Sequence, residues 1–194
     1  MCSANSSRDF PSDGLPEIAF AGRSNVGKSS LLNTLLLRGR KREQGGPIER
    51  KQLARTSNTP GRTQAVNFFR INDELYFADL PGYGFAKVPK TEMVRWRVLV
   101  DSYLDSRQAL RLVVLIIDIR HGPTALDRQM KEWLEDRRQP FLIVASKSDK
   151  LKKSQRSRAI RSIKEEFYPP LPFSSVNGEG VSELWTEIRS ALNS

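Results

Sequence analysis

Glu17-Ile18-Ala19-Phe20-Ala21-Gly22-Arg23-Ser24-Asn25-Val26-Gly27-Lys28-Ser29-Ser30-Leu31-Leu32 is the stretch that decides the fold. Its inner part, Gly22 to Ser29, fits G-x-x-x-x-G-K-[ST], the pattern of a loop that cradles phosphates. The flanks supply the context that this pattern needs. Ile18-Ala19-Phe20-Ala21 is an apolar run of strand length, and Leu31, Leu32, Leu35 and Leu36 recur at helical spacing. A strand, a glycine turn and a helix N-terminus in that order aim backbone N–H groups at an anion. The glycines let the loop curl without a Cβ in the way. Lys28 is then placed for the β- and γ-phosphates of a nucleotide, and the Ser29 hydroxyl for Mg²⁺.

Outward from this stretch, strand-like and helical patterns alternate. Strands are expected over 17–21, 64–71, 74–79, 112–118, 140–146 and 171–174, and helices over 28–37, 91–106, 126–136, 153–167 and 181–192. That alternation predicts an α/β fold: a doubly wound, mostly parallel sheet of about six strands with helices on both faces. Leu112 to Ile117 is apolar at every position, as a central parallel strand should be. Asn72-Asp73 separates two short strand patterns and predicts a hairpin, hence one antiparallel edge. A length of 194 residues suits one domain, expected over 16–194. Residues 1–15 are rich in Ser and read as a disordered lead-in, without the apolar block of a signal or transit peptide.

Composition narrows the function classes. Lys and Arg number 32 against 22 Asp and Glu, a formal charge of +10 that points to RNA or an RNA-rich particle. Arg38, Arg40, Lys41, Arg42, Arg50, Lys51 and Arg55 face only Glu43 and Glu49 in a long stretch without periodicity. Lys150, Lys152, Lys153, Arg156, Arg158, Arg161 and Lys164 form a second basic run. Cys2 is the only cysteine, so no internal disulfide is possible, which fits a reducing compartment. No apolar run approaches a membrane span, so no membrane role is expected.

Further segments choose the base. Asp79-Leu80-Pro81-Gly82 ends a strand and fits D-x-x-G: the carboxylate suits Mg²⁺ through water, and the Gly82 N–H suits a γ-phosphate sensor. Ser146-Lys147-Ser148-Asp149 resembles N/T-K-x-D, with Ser in place of the common Asn. Asp149 can accept two hydrogen bonds from the ring N–H and exocyclic amine of guanine. Adenine lacks that donor pair and would leave the carboxylate unpaired. The Lys147 stem can lie over the base. Phe173-Ser174-Ser175 is placed to offer backbone donors to the guanine carbonyl. In Thr59-Pro60-Gly61-Arg62-Thr63, both threonines qualify as an Mg²⁺ ligand that lets go after hydrolysis.

The set as a whole resembles the EngB family of GTPases, also called YihA or YsxC, within the TrmE-Era-EngA-EngB-like P-loop GTPases. The likeness is carried by Glu17 to Leu31, Thr59 to Gln64, Asp79-Leu80-Pro81-Gly82-Tyr83-Gly84-Phe85-Ala86, Asp118-Ile119-Arg120-His121 and Ser146 to Asp149, and covers residues 15–192. It implies a GTP-hydrolysing factor in late maturation of the large ribosomal subunit, associated with cell division and septation. A monomer in the bacterial cytoplasm or an organelle matrix is then expected, with the subunit or its rRNA as partner. By the same resemblance Thr63, not Thr59, joins Ser29 and Asp79 as an Mg²⁺ ligand. Gly61, Arg62, Thr63, Gln64 and Ala65 become the nucleotide-facing part of the first switch. Residues 38–52 are longer than the family pattern.

Tyr83 stands where a water-positioning Gln is usual, which predicts slow intrinsic hydrolysis. Related GTPases with Asn at the Asn25 position hold K⁺ beside the phosphates, so Asn25 is either a catalytic K⁺ ligand or a turn residue. His121 reads as a turn residue beside Gly122-Pro123, and Trp96, Trp133 and Trp185 as helix-packing residues. A P-loop kinase or ATPase, and an RNA-binding module with little hydrolysis, remain as alternatives.

Overall fold

A computed structural model of the chain describes residues 2–39, 65–83 and 90–193. In chain order the strands are β1 (Cys2–Ala4), β2 (Glu17–Gly22), β3 (Val66–Ile71), β4 (Leu75–Asp79), β5 (Leu110–Asp118), β6 (Phe141–Ser146) and β7 (Leu171–Pro172). The helices are α1 (Lys28–Gly39), α2 (Lys90–Ser106), α3 (Ala125–Asp136), α4 (Lys153–Glu166) and α5 (Val181–Leu192). They build one sheet in the order β1-β3-β4-β2-β5-β6-β7. Strands β4, β2, β5, β6 and β7 run parallel, β3 is antiparallel to β4, and β1 is antiparallel to β3. The doubly wound sheet is as expected, with seven strands where about six were read.

The sheet's two faces follow from period-two alternation in β5. Val113, Leu115 and Ile117 bury against one cluster with Leu99 and Tyr103 of α2, Leu134 of α3 and Ile163 of α4. Leu112, Val114 and Ile116 bury against the other, with Leu31, Leu32 and Leu35 of α1 and Leu184 and Ile188 of α5. Each such leucine or isoleucine contributes about 1.5–3 kcal/mol of burial, so β5 holds a helix layer on each face of the sheet. The hairpin reading of Asn72-Asp73 holds. Both residues take positive φ, 49° and 58°, and Glu74 N–H donates to the Ile71 carbonyl at 2.9 Å. Asn and Asp tolerate that conformation, which matches the right-handed twist of the two strands.

The lead-in requires a correction. It is structured, not disordered: β1 pairs with β3, setting Ala4 opposite Val66. Asp9 closes the next turn by accepting the N–H groups of Asn5 and Ser6 at 3.1 and 3.0 Å. Phe10 then packs on Phe68 and Tyr103, with ring centroids 5.8 and 5.4 Å apart. The polar composition hides two apolar anchors, Ala4 and Phe10, and an edge strand that needs a partner. Among the described residues no helix is long and apolar enough to cross a membrane.

Thr59, Gly61, Arg62, Thr63 and Gln64 lie outside the described residues, as do 84–89 and the basic stretch from Arg40 to Arg55. The side chains of Arg38 and Trp96 are outside them as well. Trp133 lies under the Arg137 guanidinium at 3.8 Å, and Trp185 packs on Phe77 at 5.5 Å, so both are packing residues as read. His121 sits exposed in a turn, its N–H donating to the Asp118 carbonyl at 3.1 Å.

Candidate functional site

The carboxyl ends of the parallel strands place the candidate residues along one rim. Strand β2 ends at Gly22, β4 at Asp79, β5 at Asp118 and β6 at Ser146; Asp118 lies opposite Ser146, while Asp79 lies opposite Phe20 and Gly22 opposite Ile116. The strand order reverses on either side of β2, and the crevice outside the carboxyl ends of the strands at such a switch point is where open α/β sheets bind ligands.

The Gly22–Ser30 loop is pinned from three sides. Gly22 lies so close to β5 that a Cβ there would meet the Ile116 carbonyl oxygen at 2.9 Å. Ser24 N–H donates to the Tyr83 carbonyl at 3.0 Å, and Arg23 bridges Tyr83, so the segment after β4 runs alongside the loop. A Cβ on Gly82 would press on Ser24 N at 3.2 Å. Asn25 and Gly27 take φ of 63° and 100°, which curls the loop before α1 begins. The amides of Gly27, Lys28, Ser29 and Ser30 have no backbone acceptor among the described residues, as expected at a helix start. Their partial positive charge is the anion-binding feature of such a turn. Val26 is buried, Ser29 half-buried and Ser30 exposed.

Lys28 and Asp79 form an ion pair, with side-chain exposures of 10% and 9%. The P-loop cation and the D-x-x-G carboxylate are therefore adjacent. Leu80 and Pro81 are buried behind them, with Leu80 N–H on the Phe20 carbonyl at 3.1 Å. Tyr83 is buried, and its hydroxyl donates to Asp127 Oδ1 at 2.7 Å. Burial, then the neighbouring Asp127 charge, push its phenol well above the ordinary range.

Ser146-Lys147-Ser148-Asp149 stands on the other side of the loop. Ser146 Oγ lies 2.7 Å from the Val26 carbonyl oxygen and 3.1 Å from that of Ile117. The Ser that departs from the usual Asn thus ties β6 to the P-loop. Lys147 has φ 60° and donates through Nζ to the Asn25 carbonyl at 2.6 Å and to Asp118 Oδ2 at 2.9 Å. Its Cε would touch a Cβ on Gly27 at 3.5 Å, so its stem spans the loop. Burial alone would raise the Asp118 pKa. Hydrogen bonds from Arg120 and Lys147 outweigh it and hold this carboxyl far below the usual carboxylate range.

Asp149 Oδ1 accepts from Ser174 Oγ at 2.7 Å, which lowers its pKa against the opposing effect of burial. Two of the three backbone donors expected from 173–175 are already committed. Phe173 N–H goes to Ala145 O at 2.9 Å and Ser174 N–H to Glu179 O at 3.0 Å. Ser175 N–H has no acceptor among the described residues. Ala65, half-buried just before β3, is the one described member of the first-switch reading.

Sequence reading assigned no role to three residues. Asp118 orients Lys147. Glu179 accepts from Ser148 Oγ at 2.6 Å and from both Arg156 Nη atoms at 2.9 and 2.6 Å, joining the Asp149 loop to α4. Asp127 fixes Tyr83. Asp118 also pairs locally with Arg120, and Asp127 with the Thr124 N–H and hydroxyl, but the bonds to Lys147 and Tyr83 are made across the fold and have no local signal.

The model of the family described as 50S ribosome-binding GTPase matches residues 17–147. The protein "Probable GTP-binding protein EngB" of Solibacter usitatus is 48% identical over 183 residues, covering 94% of this chain and 90% of its own. That of Syntrophus aciditrophicus is 49% identical over 185 residues, covering 94% and 88%. Among solved structures, a crystal structure of a probable GTP-binding protein engB aligns with TM-score 0.67 at 25% identity, covering 91% of this chain and 98% of that one. Era in complex with MgGDPNP and a segment of 16S ribosomal RNA shares the fold, with TM-score 0.67 at 24% identity, over 91% of this chain and 56% of that one.

Proposed function

This chain belongs to the EngB family of ribosome-binding GTPases, and from that premise we propose that it is a GTP-gated assembly factor of the large ribosomal subunit. The observation that carries the reading is the joining of phosphate loop and base loop. Ser146 and Lys147 bond directly to the carbonyls of Val26 and Asn25, so one rigid rim holds both ends of a nucleotide.

In this reading the amides of Gly27 to Ser30 and Lys28 Nζ hold the triphosphate, with Arg23, Ser24 and Val26 shaping the loop. Lys28 turns from Asp79 to the phosphates when GTP arrives. Asp149 accepts from guanine's two adjacent donors, Ser175 N–H donates to its carbonyl, and the Lys147 stem covers the ring. Ser174 and Glu179 hold that pocket in register. The hydroxyl of Ser29 and the carboxylate of Asp79 are hard oxygen donors that fit Mg²⁺, with Thr63 as the third protein ligand. Mg²⁺ supplies neutralisation of charge on the β- and γ-phosphates. Gly82 N–H reports the γ-phosphate to the segment that leads into α2. Residues 16–194 act as the nucleotide domain, with residues 2–10 stitched onto its edge.

Hydrolysis needs an oriented water, and the Tyr83 hydroxyl is committed to Asp127. The intrinsic rate is therefore slow. Asn25 is exposed at the loop's outer edge, where a side-chain oxygen can hold K⁺ beside the phosphates. Exchanging Na⁺ for K⁺ is expected to raise turnover severalfold, and equal rates in the two salts would remove that role. The same reading makes the protein a cytoplasmic monomer, which light scattering near 22.0 kDa would bear out.

Calorimetry with GTP and ATP tests the main reading. GTP is expected to bind at least about a hundredfold more tightly, because adenine offers the Asp149 carboxylate no matching donor pair. Asp149→Asn should abolish that preference and favour xanthine nucleotides, whose second carbonyl can accept from the new amide. Equal affinity of the unaltered protein for GTP and ATP would defeat the assignment.

A further inference from the structure

We propose that the outward face of α4 is a docking surface for RNA backbone phosphates of the large subunit, an inference that rests on the ribosome reading above. From Lys150 to Lys164 the sequence contains no acidic residue and no aromatic one. Lys152, Lys153, Arg158, Arg161 and Lys164 are all exposed there. Among the described residues none of these five has a carboxylate partner. Elsewhere on the surface, basic side chains are commonly neutralised: Arg70 by Asp73, Arg97 by Asp101, Arg120 by Asp118, Arg128 by Glu166 and Arg137 by Asp105. On α4 itself the exception is Arg156, which turns inward to Glu179. The helix thus anchors with one arginine and leaves the remaining cations to solvent.

The chemistry of the face selects its partner. Concentrated, unpaired positive charge at successive helical turns attracts a polyanion. Ala159, Ile160 and Ile163 of α4 pack inward against the sheet, so the outer face has no apolar stripe to enter a lipid surface. It also lacks the aromatic platforms on which single-stranded bases stack. Ser154 and Ser162 are exposed between the cations, and such short hydroxyls are suited to phosphate oxygens. The face therefore grips a phosphate backbone without reading bases. Since α4 follows Asp149 directly and is clamped to the base loop through Glu179, the docked RNA lies beside the guanine end of the nucleotide.

The test uses the full chain and two quadruple variants of equal charge loss. One is Lys153→Gln, Arg158→Gln, Arg161→Gln and Lys164→Gln. The other, Arg8→Gln, Arg111→Gln, Arg138→Gln and Arg189→Gln, removes exposed cations away from α4. GTP affinity and intrinsic hydrolysis should be unchanged in the α4 variant, because none of its four positions touches the nucleotide rim. Binding to purified large subunits and to a bare RNA duplex is measured across a salt series. For the α4 variant the slope of log affinity against log salt should become shallower by about one per cation removed. Its affinity at low salt should fall at least about tenfold, while the control variant follows the unaltered chain. Equal slopes for the α4 variant and the unaltered chain, or equal losses in both variants, would overturn the inference while leaving the ribosome reading intact. Weaker binding to subunits with unchanged binding to bare duplex would also overturn it, in favour of an acidic protein partner. Should the unaltered chain bind no subunits in any nucleotide state, the ribosome reading falls and takes this inference with it.

Discussion

Lys147 serves as a strut across the phosphate loop, and its neighbours show how single groups set the site's chemistry. Asp149 is held below the ordinary carboxylate range first by the Ser174 hydroxyl. A depressed carboxyl stabilises the fold fully above its unfolded pKa, about 3.9, and loses that contribution as pH falls through its lower folded value. Ser174→Ala should move the Asp149 titration upward, so the stability it contributes above that window shrinks and is fully lost at a higher pH. Carboxyl NMR titration reads this directly, and an unmoved Asp149 curve would contradict the assigned cause. Guanine-nucleotide affinity should fall in the same variant, because Ser174 Oγ also accepts the Val176 and Asn177 N–H groups at 3.1 and 3.3 Å. Gly22 is required for a different reason, close approach. An alanine Cβ would press on the Ile116 carbonyl and on Val26 Cγ1 at 3.0 Å, both within packed elements. Gly22→Ala is expected to cost about 1–3 kcal/mol, as overpacking does, in urea unfolding. A cost near zero would show that β2 and β5 can part.

At the scale of elements, the N-terminal strap joins two parts of the fold that follow the switch regions. β1 lies on β3, and Phe10 reaches Tyr103 of α2. Beneath the strap Glu17, fully buried, accepts from Tyr103 Oη and Arg107 Nε, each at 2.9 Å. Arg107 also donates to the Pro11 carbonyl, which fastens the strap to α2. Removing one partner of a buried ion pair leaves the other charge uncompensated. Arg107→Leu should therefore destabilise by about 3–5 kcal/mol, and the double variant with Glu17→Leu should recover much of the loss. If the single variant were as stable as the unaltered chain in denaturant melts, the pair would be no more than a surface contact.

For the molecule as a whole, slow hydrolysis and a high positive charge belong together. In the proposed reading, the bond of Tyr83 to Asp127 keeps hydrolysis slow until something else completes the catalytic arrangement. A net charge of +10 directs it to an RNA-rich particle, and that attraction weakens with salt. Multiple-turnover phosphate release should rise at least about tenfold on large ribosomal subunits, with most of the gain lost in high salt. Stimulated rates of trans-supplied catalysis reach far beyond that elsewhere. No stimulation at any salt concentration would favour the second reading, an RNA-binding module that keeps its nucleotide with little hydrolysis.

Local pattern was enough to determine the parallel sheet, the hairpin at Asn72-Asp73 and the phosphate loop. Period-two and helical spacing, glycine placement and the G-K-S run each act within a few residues. The base loop was legible as a motif in Ser146 to Asp149, though not in its bonding. Only the tertiary structure decided that Lys147 reaches back 122 residues to Asn25, that Glu179 clamps Ser148 to Arg156, and that Asp127 captures Tyr83. It also turned the start of a Ser-rich lead-in into a strand, because the exposed edge of β3 offered it hydrogen bonds and an apolar seat. The physical division is one of range: a residue's neighbours in sequence set its conformation, while the partners of a buried charge or an open strand edge are chosen by the packing of the whole sheet.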